Sequence, residues 1–382
     1  MPGSVRVSGT WRSISAASVR VGGAWKSVTA GWTRVAGTWR QWFTSGFTGF
    51  AKVSNLTNLD NSRAIIHAAP GSFAGRAIFT GGVTGNFSSP QNVVDSYDAS
   101  LVKQSISYMP QGRFAYPVVG TNNHLVIPGG YWSFNGQSRV DFYNTNLTTG
   151  TASNLSYGAY GHTAGKAGQL VLVAGIGNND FPYLTTHIDG YNSSMVKSTG
   201  TLTAAARSGG FVSIGTNAMF HYGNYQSDGN NWSGVFEVWN SSHVRTSTGN
   251  TGLATNGGYS ANTADYSIIQ LFRNNANIAM SAYDVNLVRT ALADKESPTI
   301  GTVAAEAGGL VMFAGGNSAN TGITSVTIYN NSLVKTVGTS LSQGRSDHGM
   351  SAAGNSIIVA GGSSSGGGYG VKLNSVEAYT AQ

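Results

Sequence analysis

The sequence predicts an all-β fold, a seven-bladed β-propeller preceded by β-hairpin repeats, and three observations carry that prediction. Glycine supplies 53 of the 382 residues while charged residues make up only 10%, a turn-rich, sheet-forming composition. An aromatic residue recurs seven times from position 97 onward at spacings of 44 to 50 residues, the length of a four-stranded blade. A second, shorter repeat of 14 residues fills the first 40 positions.

The long repeat is anchored by Tyr97-Asp98, Tyr143-Asn144, Tyr191-Asn192, Trp239-Asn240, Tyr283-Asp284, Tyr329-Asn330 and a last Tyr379. Leu101-Val102-Lys103, Met195-Val196-Lys197, Leu287-Val288-Arg289 and Leu333-Val334-Lys335 follow as the opening of an outer strand, after an Asn/Asp turn whose residues tolerate left-handed backbone. Arg63, Arg113, Arg207 and Arg345 precede an inner strand. The next apolar strand closes on a small pair: Gly81-Gly82, Gly129-Gly130, Ala174-Gly175, Tyr222-Gly223, Gly315-Gly316 and Gly361-Gly362. The fifth unit has Leu271-Phe272 there and is the degenerate one.

The chain ends at Tyr379-Thr380-Ala381-Gln382, where a seventh outer strand should begin. Phe50-Ala51-Lys52 aligns with Leu333-Val334-Lys335, so the segment from Phe50 to Thr57 is expected to complete the last blade and remove an open sheet edge.

The order of arginine, sometimes histidine (His162, His348), apolar strand, double glycine and an aromatic about 15 to 20 residues on resembles the Kelch motif over residues 50–382. It departs from the usual Kelch pattern where a tryptophan would follow the tyrosine. The resemblance implies a fold and no function, because propellers host many unrelated activities.

The short repeat reads Val5-Arg6-Val7-Ser8-Gly9-Thr10-Trp11-Arg12, then Val19 to Lys26 with Trp25, then Thr33 to Arg40 with Trp39. Ser-Gly, Gly-Gly and Ala-Gly supply the positive φ that tight hairpins require. The turn has either two or three residues, and that choice sets whether tryptophan faces the valines or the arginine. Lone hairpins are marginal in water, so residues 1–45 are expected to stack on something else. That makes them a basic attachment or oligomerisation segment built on Trp11, Trp25, Trp39, Arg6, Arg20 and Arg34, or else a cap on their own propeller at residues 46–382.

The net charge of +7 is unevenly placed, since residues 1–45 hold six of the 22 basic residues and no acid. These bases recur singly at fixed repeat positions and form no Lys/Arg run, which argues against a nucleic-acid partner. No apolar run is long enough to cross a bilayer and the first residues have no signal-like h-region, so no membrane insertion is expected. Without that signal, the eight Asn-x-Ser/Thr triplets read as chance products of an Asn/Ser-rich chain.

The absence of cysteine excludes disulfides, thiolate metal sites and cysteine nucleophiles. It also excludes a galactose-oxidase-like activity, which by resemblance to that family would need a cysteine-crosslinked tyrosine beside copper. Sialidase-type Ser-x-Asp-x-Gly-x-Thr-Trp boxes are absent. His67, His124, His162, His187, His221, His243 and His348 show no metal-ligand spacing, and the acids Asp95 and Asp98, or Asp294 and Glu296, read as solvated loop charge. No catalytic residue, metal or cofactor is therefore expected.

Candidate binding residues lie in the loops joining second and third strands, which hold Phe87, Tyr131, Trp132, Phe134, Phe181, Tyr183, Tyr225, Trp232 and Tyr369 among Asn, Gln, Ser and Gly. Flat apolar faces beside short amides suit sugar rings or a protein surface, and Trp132, Phe134, Tyr183, Tyr225 and Trp232 are the expected contacts.

The short repeat is similar to Val-Lys-Val-Gly-Gly-x-Trp-Lys repeats of bacteriophage tail and other virion proteins. That resemblance implies a non-enzymatic structural protein of the virion, in a tail fibre, tail tip or capsid decoration. Its partners would be other virion proteins, further copies of the chain and a host-surface glycan or protein. The alternatives are a bacterial or cytosolic Kelch-type interaction scaffold and a glycan-active propeller enzyme.

Overall fold

The computed structural model describes residues 4–7, 10–13, 17–21, 24–28, 30–35, 38–44, 49–53, 56–65, 71–85, 89–133, 135–159, 161–175, 185–206, 210–222, 233–255, 257–273, 276–294, 301–318, 320–365 and 370–382. Side chains are described from residue 49 on, apart from 71, 105, 205–206, 233, 251–255, 257, 272–273 and 276–279. The chain forms two units, Met1–Thr48 and Gly49–Gln382.

The first unit contains three two-stranded hairpins, Ser4–Val7 with Thr10–Ser13, Ala17–Val21 with Ala24–Val28, and Ala30–Val35 with Thr38–Thr44. Val7 stands opposite Thr10, Val21 opposite Ala24 and Val35 opposite Thr38, so two residues lie between the strands each time. That register sets Arg6 against Trp11, Arg20 against Trp25 and Arg34 against Trp39. The side chains of these six residues lie outside the described residues.

The second unit is a β-propeller of seven four-stranded antiparallel sheets. The innermost strands, Gly71–Phe73, Val119–Gly120, Thr163–Ala167, Gly210–Ile214, Gly257–Asn262, Val303–Ala307 and Gly349–Ala353, adjoin one another in that order and the last returns to the first. Strand order within blade 7 is Gly349–Ala353, Ser356–Ala360, Val376–Ala381 and then Phe50–Val53. The closing strand sets Lys52 opposite Tyr379 and Phe50 opposite Ala381, as the missing outer strand required.

Second strands such as Leu170–Ala174 and Ser356–Ala360 are buried along their whole length, because both faces of a blade pack on neighbouring blades. The small pairs make that packing close. A Cβ on Gly129 would stand 2.6 Å from the His162 ring of the next blade, and one on Gly315 would stand 2.5 Å from the His348 ring. The second glycine of each pair has φ near 100–110° and turns its amide onto the next blade: Gly82 to Arg113, Gly130 to Ala159, Gly316 to Arg345 and Gly362 to Arg63, each to the carbonyl oxygen.

The aromatic anchors are buried plugs with a polar tip. The Tyr97 hydroxyl donates to the Thr57 carbonyl at 2.7 Å, Tyr143 to Ser107 at 2.7 Å and Tyr191 to Ser153 at 2.9 Å, tying each blade to the connection that leads into it. The Asn or Asp that follows an anchor accepts the amides two and four residues on, as Asp98 does from Ser100 and Val102 and Asn330 from Ser332 and Val334. The left-handed residue in these turns is the one three after the anchor pair's polar member: Leu101, Leu147, Met195, His243, Leu287 or Leu333. The outer strands of blades 1 and 6 accordingly begin at Lys103 and Lys335, beyond the leucine.

The inner-strand arginines meet acids placed two residues before the anchors. Arg63 pairs with Asp95 at 2.6 Å, Arg113 with Asp141 at 2.7 Å and Arg345 with Glu377 at 3.2 Å. Outer-strand lysines reach the same acids, Lys103 to Asp95 at 2.6 Å and Lys52 to Glu377 at 2.7 Å. Asp95 is therefore a buried structural ion, which corrects its reading as solvated loop charge, and Asp98 is the acceptor of a turn. Blades 5 and 6 carry Ser281 and Thr327 at the acid's position, both buried.

The clasp at Glu377 yields the first prediction. Glu377→Gln keeps the shape but leaves two cations facing a neutral amide, and should cost about 3 kcal/mol in denaturant unfolding. A loss below about 1 kcal/mol would show that strand pairing alone closes the ring.

Candidate binding face

A blade of four antiparallel strands sends its 1–2 and 3–4 turns to one face and its 2–3 loops and outgoing connection to the other. On the first face the turns are uniform. Two residues separate Phe73 from Arg76, Ala167 from Leu170, Ile214 from Asn217, Ala307 from Leu310 and Ala353 from Ser356. On the second face the 2–3 loops vary, from the tight Arg273–Ala276 link of blade 5 to the long Ala360–Val376 segment of blade 7. Variable loops on a fixed frame mark the second face as the candidate site.

Trp132 sits there on a small hairpin, Tyr131–Trp132 paired with Asn135–Gly136, and is 44% exposed. The hairpin is held rigidly at its base. Tyr131 and Phe114 exchange backbone hydrogen bonds at 2.7 and 3.2 Å, and their rings meet edge-on at 5.3 Å. Gln137 donates its backbone amide to Gly130, and its side-chain amide to the Asn135 carbonyl. Of the other expected contacts, Phe134, Tyr183, Tyr225 and Trp232 lie outside the described residues.

Two further exposed aromatics were not expected, Tyr108 at 52% and Tyr157 at 41%. They belong to the connections into blades 2 and 3, beside the buried Met109 and Leu155, whose amides bond to Asn92 and Ser138. The Tyr157 ring lies 4.9 Å from that of His187. Among the described residues Tyr108, Trp132 and Tyr157 are the exposed aromatic side chains, and all three belong to blade 2 and the connections on either side of it. Aligning the connections as well as the loops would have found them, since Leu59, Met109, Leu155 and Leu341 mark one repeat position. The arrangement offers stacking surfaces beside amide donors and acceptors, chemistry suited to binding.

His162 and His221 serve the frame. His162 donates through Nε2 to the Pro128 carbonyl at 3.0 Å, and His221 packs on Phe236 and Tyr283 at 6.0 and 5.7 Å. Burial pushes both down to about 4, with the Pro128 bond opposing it at His162 and Arg289 reinforcing it at His221. No group of three or more His, Cys, Asp or Glu able to hold a metal ion occurs among the described residues.

These depressed values set a pH dependence. Both rings are neutral in the fold and ordinary in the unfolded chain, so below about pH 6.5 the unfolded chain takes up protons that the fold refuses. Their contribution is complete above that pH and drains away as pH falls toward 4, by up to a few kcal/mol for each ring. Unfolding midpoints measured from pH 7 to 4.5 should fall, and His221→Phe should flatten the slope; an unchanged slope in that variant would remove His221 from the account.

The sequence matches no protein-family model, and it matches no curated protein. In fold it is similar to a solved structure titled "Structure of YjhT", at a TM-score of 0.54 and 14% identity over 71% of this chain and 95% of that one. At that identity the likeness concerns the fold alone.

Proposed function

We propose that this chain is a non-enzymatic binding protein that presents the blade-2 sector of its variable face to a partner surface. The observation that carries this reading is the exposure of Tyr108, Trp132 and Tyr157 in one sector of that face, Trp132 on a small hairpin and the two tyrosines on the flanking connections. Protein normally buries such rings, and amphipathic rings left out beside Asn and Gln suit a sugar ring or a protein epitope. The partner class is a host-surface glycan or protein.

The biological setting we propose is a bacteriophage virion, in a tail fibre, tail tip or capsid decoration. Its support is the three-fold hairpin repeat of the first unit with Arg and Trp at opposed positions, similar to repeats of virion proteins. The buried arginine–carboxylate pairs and glycine pairs support the Kelch-like reading of the propeller. In this account residues 1–45 attach the chain to other virion proteins or to further copies of itself.

Trp132→Ala should weaken binding to purified bacterial surface polysaccharide or to host cells by about thirtyfold, the equivalent of 2 kcal/mol, with the melting temperature nearly unchanged. Unchanged binding with a lowered melting temperature would make Trp132 a cover for its own blade. Deleting residues 1–45 should leave a folded propeller that no longer joins its particle or oligomer, and normal incorporation of the truncated chain would overturn the attachment role.

A further inference from the structure

Two departures from the repeat, His243 and Gly190, meet a serine at the contact between blades 3 and 4. The left-handed turn residue that is leucine or methionine in five other turns is His243, at φ 59°. The residue just before the anchor, which is Ser96, Phe142, Val238, Ala282, Ile328 or Ala378 in the other blades, is Gly190. Directly across the strand from Gly190 stands Ser198, at a position where blades 1, 2, 4, 5 and 6 have Gln104, Gly150, Ser247, Thr290 and Thr336, so a hydroxyl there is common to the repeat.

These departures fit one another. The Ser198 Oγ and the His243 Nδ1 are 2.6 Å apart. A Cβ on residue 190 would stand 2.8 Å from that nitrogen and 2.9 Å from that oxygen, so the glycine is what lets the pair form. The Trp239 ring lies 5.4 Å from the imidazole and braces it. The serine is exposed while the imidazole is partly buried. Burial holds His243 below the ordinary histidine range, more than the nearby Asp189 charge and the Ile188 backbone restore, which keeps the ring neutral and free to take a proton at neutral pH.

We infer that Ser198 is a base-assisted nucleophile at which the chain accepts an acyl group from an activated ester, with His243 as the base. The step uses the tautomer protonated at Nε2, a buried nitrogen that finds no partner of its own, in which Nδ1 accepts the hydroxyl hydrogen bond. The Ser198 oxygen attacks the acyl carbon, its proton passes to Nδ1, and the bond from carbon to the leaving oxygen breaks to release the alcohol or phenol as its anion. The imidazolium then returns its proton to solvent. The product is a single O-acyl serine on the outer strand of blade 3.

The test uses p-nitrophenyl acetate on the full chain at neutral pH, with acetylation read at each serine by peptide mass spectrometry. Ser193 and Ser194, exposed on the turn just before, serve as controls within the same molecule. Ser198 should acetylate on the order of a hundredfold faster than either, the range of general-base assistance. Ser198→Ala should lose the signal. His243→Leu, which installs the residue of four other turns, should keep the melting temperature and bring Ser198 to the control rate. Acetylation of Ser198 no faster than Ser193 and Ser194, or equally fast in a folded His243→Leu chain, would overturn the assignment.

Discussion

The carbonyl of Arg113 accepts the amide of Gly82 from the blade before it, and the guanidinium of the same residue enters its own blade to meet Asp141. One residue thus fastens a blade to its neighbour by backbone and to its own third strand by charge. Arg63 and Arg345 do the same, and the stitch from Gly362 to Arg63 joins the last blade to the first. The two glycines are the geometric condition for this joint, because a side chain on the first would collide with the incoming segment of the next blade and one on the second with the segment leading into its own blade. Apolar packing supplies most of the stabilisation in such a fold, but it is non-directional. The stitched joint has direction, and it fixes how each blade is set against the next.

Burying an ion pair is not by itself a gain in stability, since desolvation can outweigh attraction. Blades 5 and 6 show that a blade forms without the acid, using Ser281 and Thr327. The ions are therefore better understood as alignment than as glue. At blade 7 the pair takes on a second duty, because Lys52 arrives on a strand from the other end of the propeller unit and its ammonium completes the coordination of Glu377. The ring can only satisfy that acid when it is closed.

Blade count, anchor spacing and the closing strand were legible in the sequence because each rests on a local requirement repeated many times: a plug, an Asn or Asp turn, a close approach. Asp95 was misread because an acid near a turn looks solvated until its arginine, 32 residues earlier, is seen to lie on the same blade. Local pattern holds no information about that distance. Tyr108 and Tyr157 escaped because an exposed aromatic in a connection leaves no periodic trace; only the buried neighbour does. The hairpin register of the first unit could not be read either, since Ser-Gly and Gly-Gly permit more than one turn length.

The unequal treatment of the two faces bears on where a propeller evolves. The tight turns of one face are fixed by strand twist and by a polar residue that must bond two amides, so a change there costs the blade its pairing. The loops and connections of the other face are bound to the frame at only a few amides, such as those of Met109 and Leu155, and the residues between those points are free to differ. The Trp132 hairpin uses that freedom, on a base locked through Phe114 and Gly130. The Ser198–His243 contact lies inside the constrained frame, where His243 takes a position that is leucine or methionine in five other turns, packs on Trp239, and has the room that Gly190 leaves it. A loop aromatic can be exposed at little cost, so its exposure alone says little; three in one sector say more. A polar pair set where the repeat places an apolar side chain exchanges an apolar contact for a hydrogen bond, and that exchange is the physical argument for asking what chemistry the pair performs.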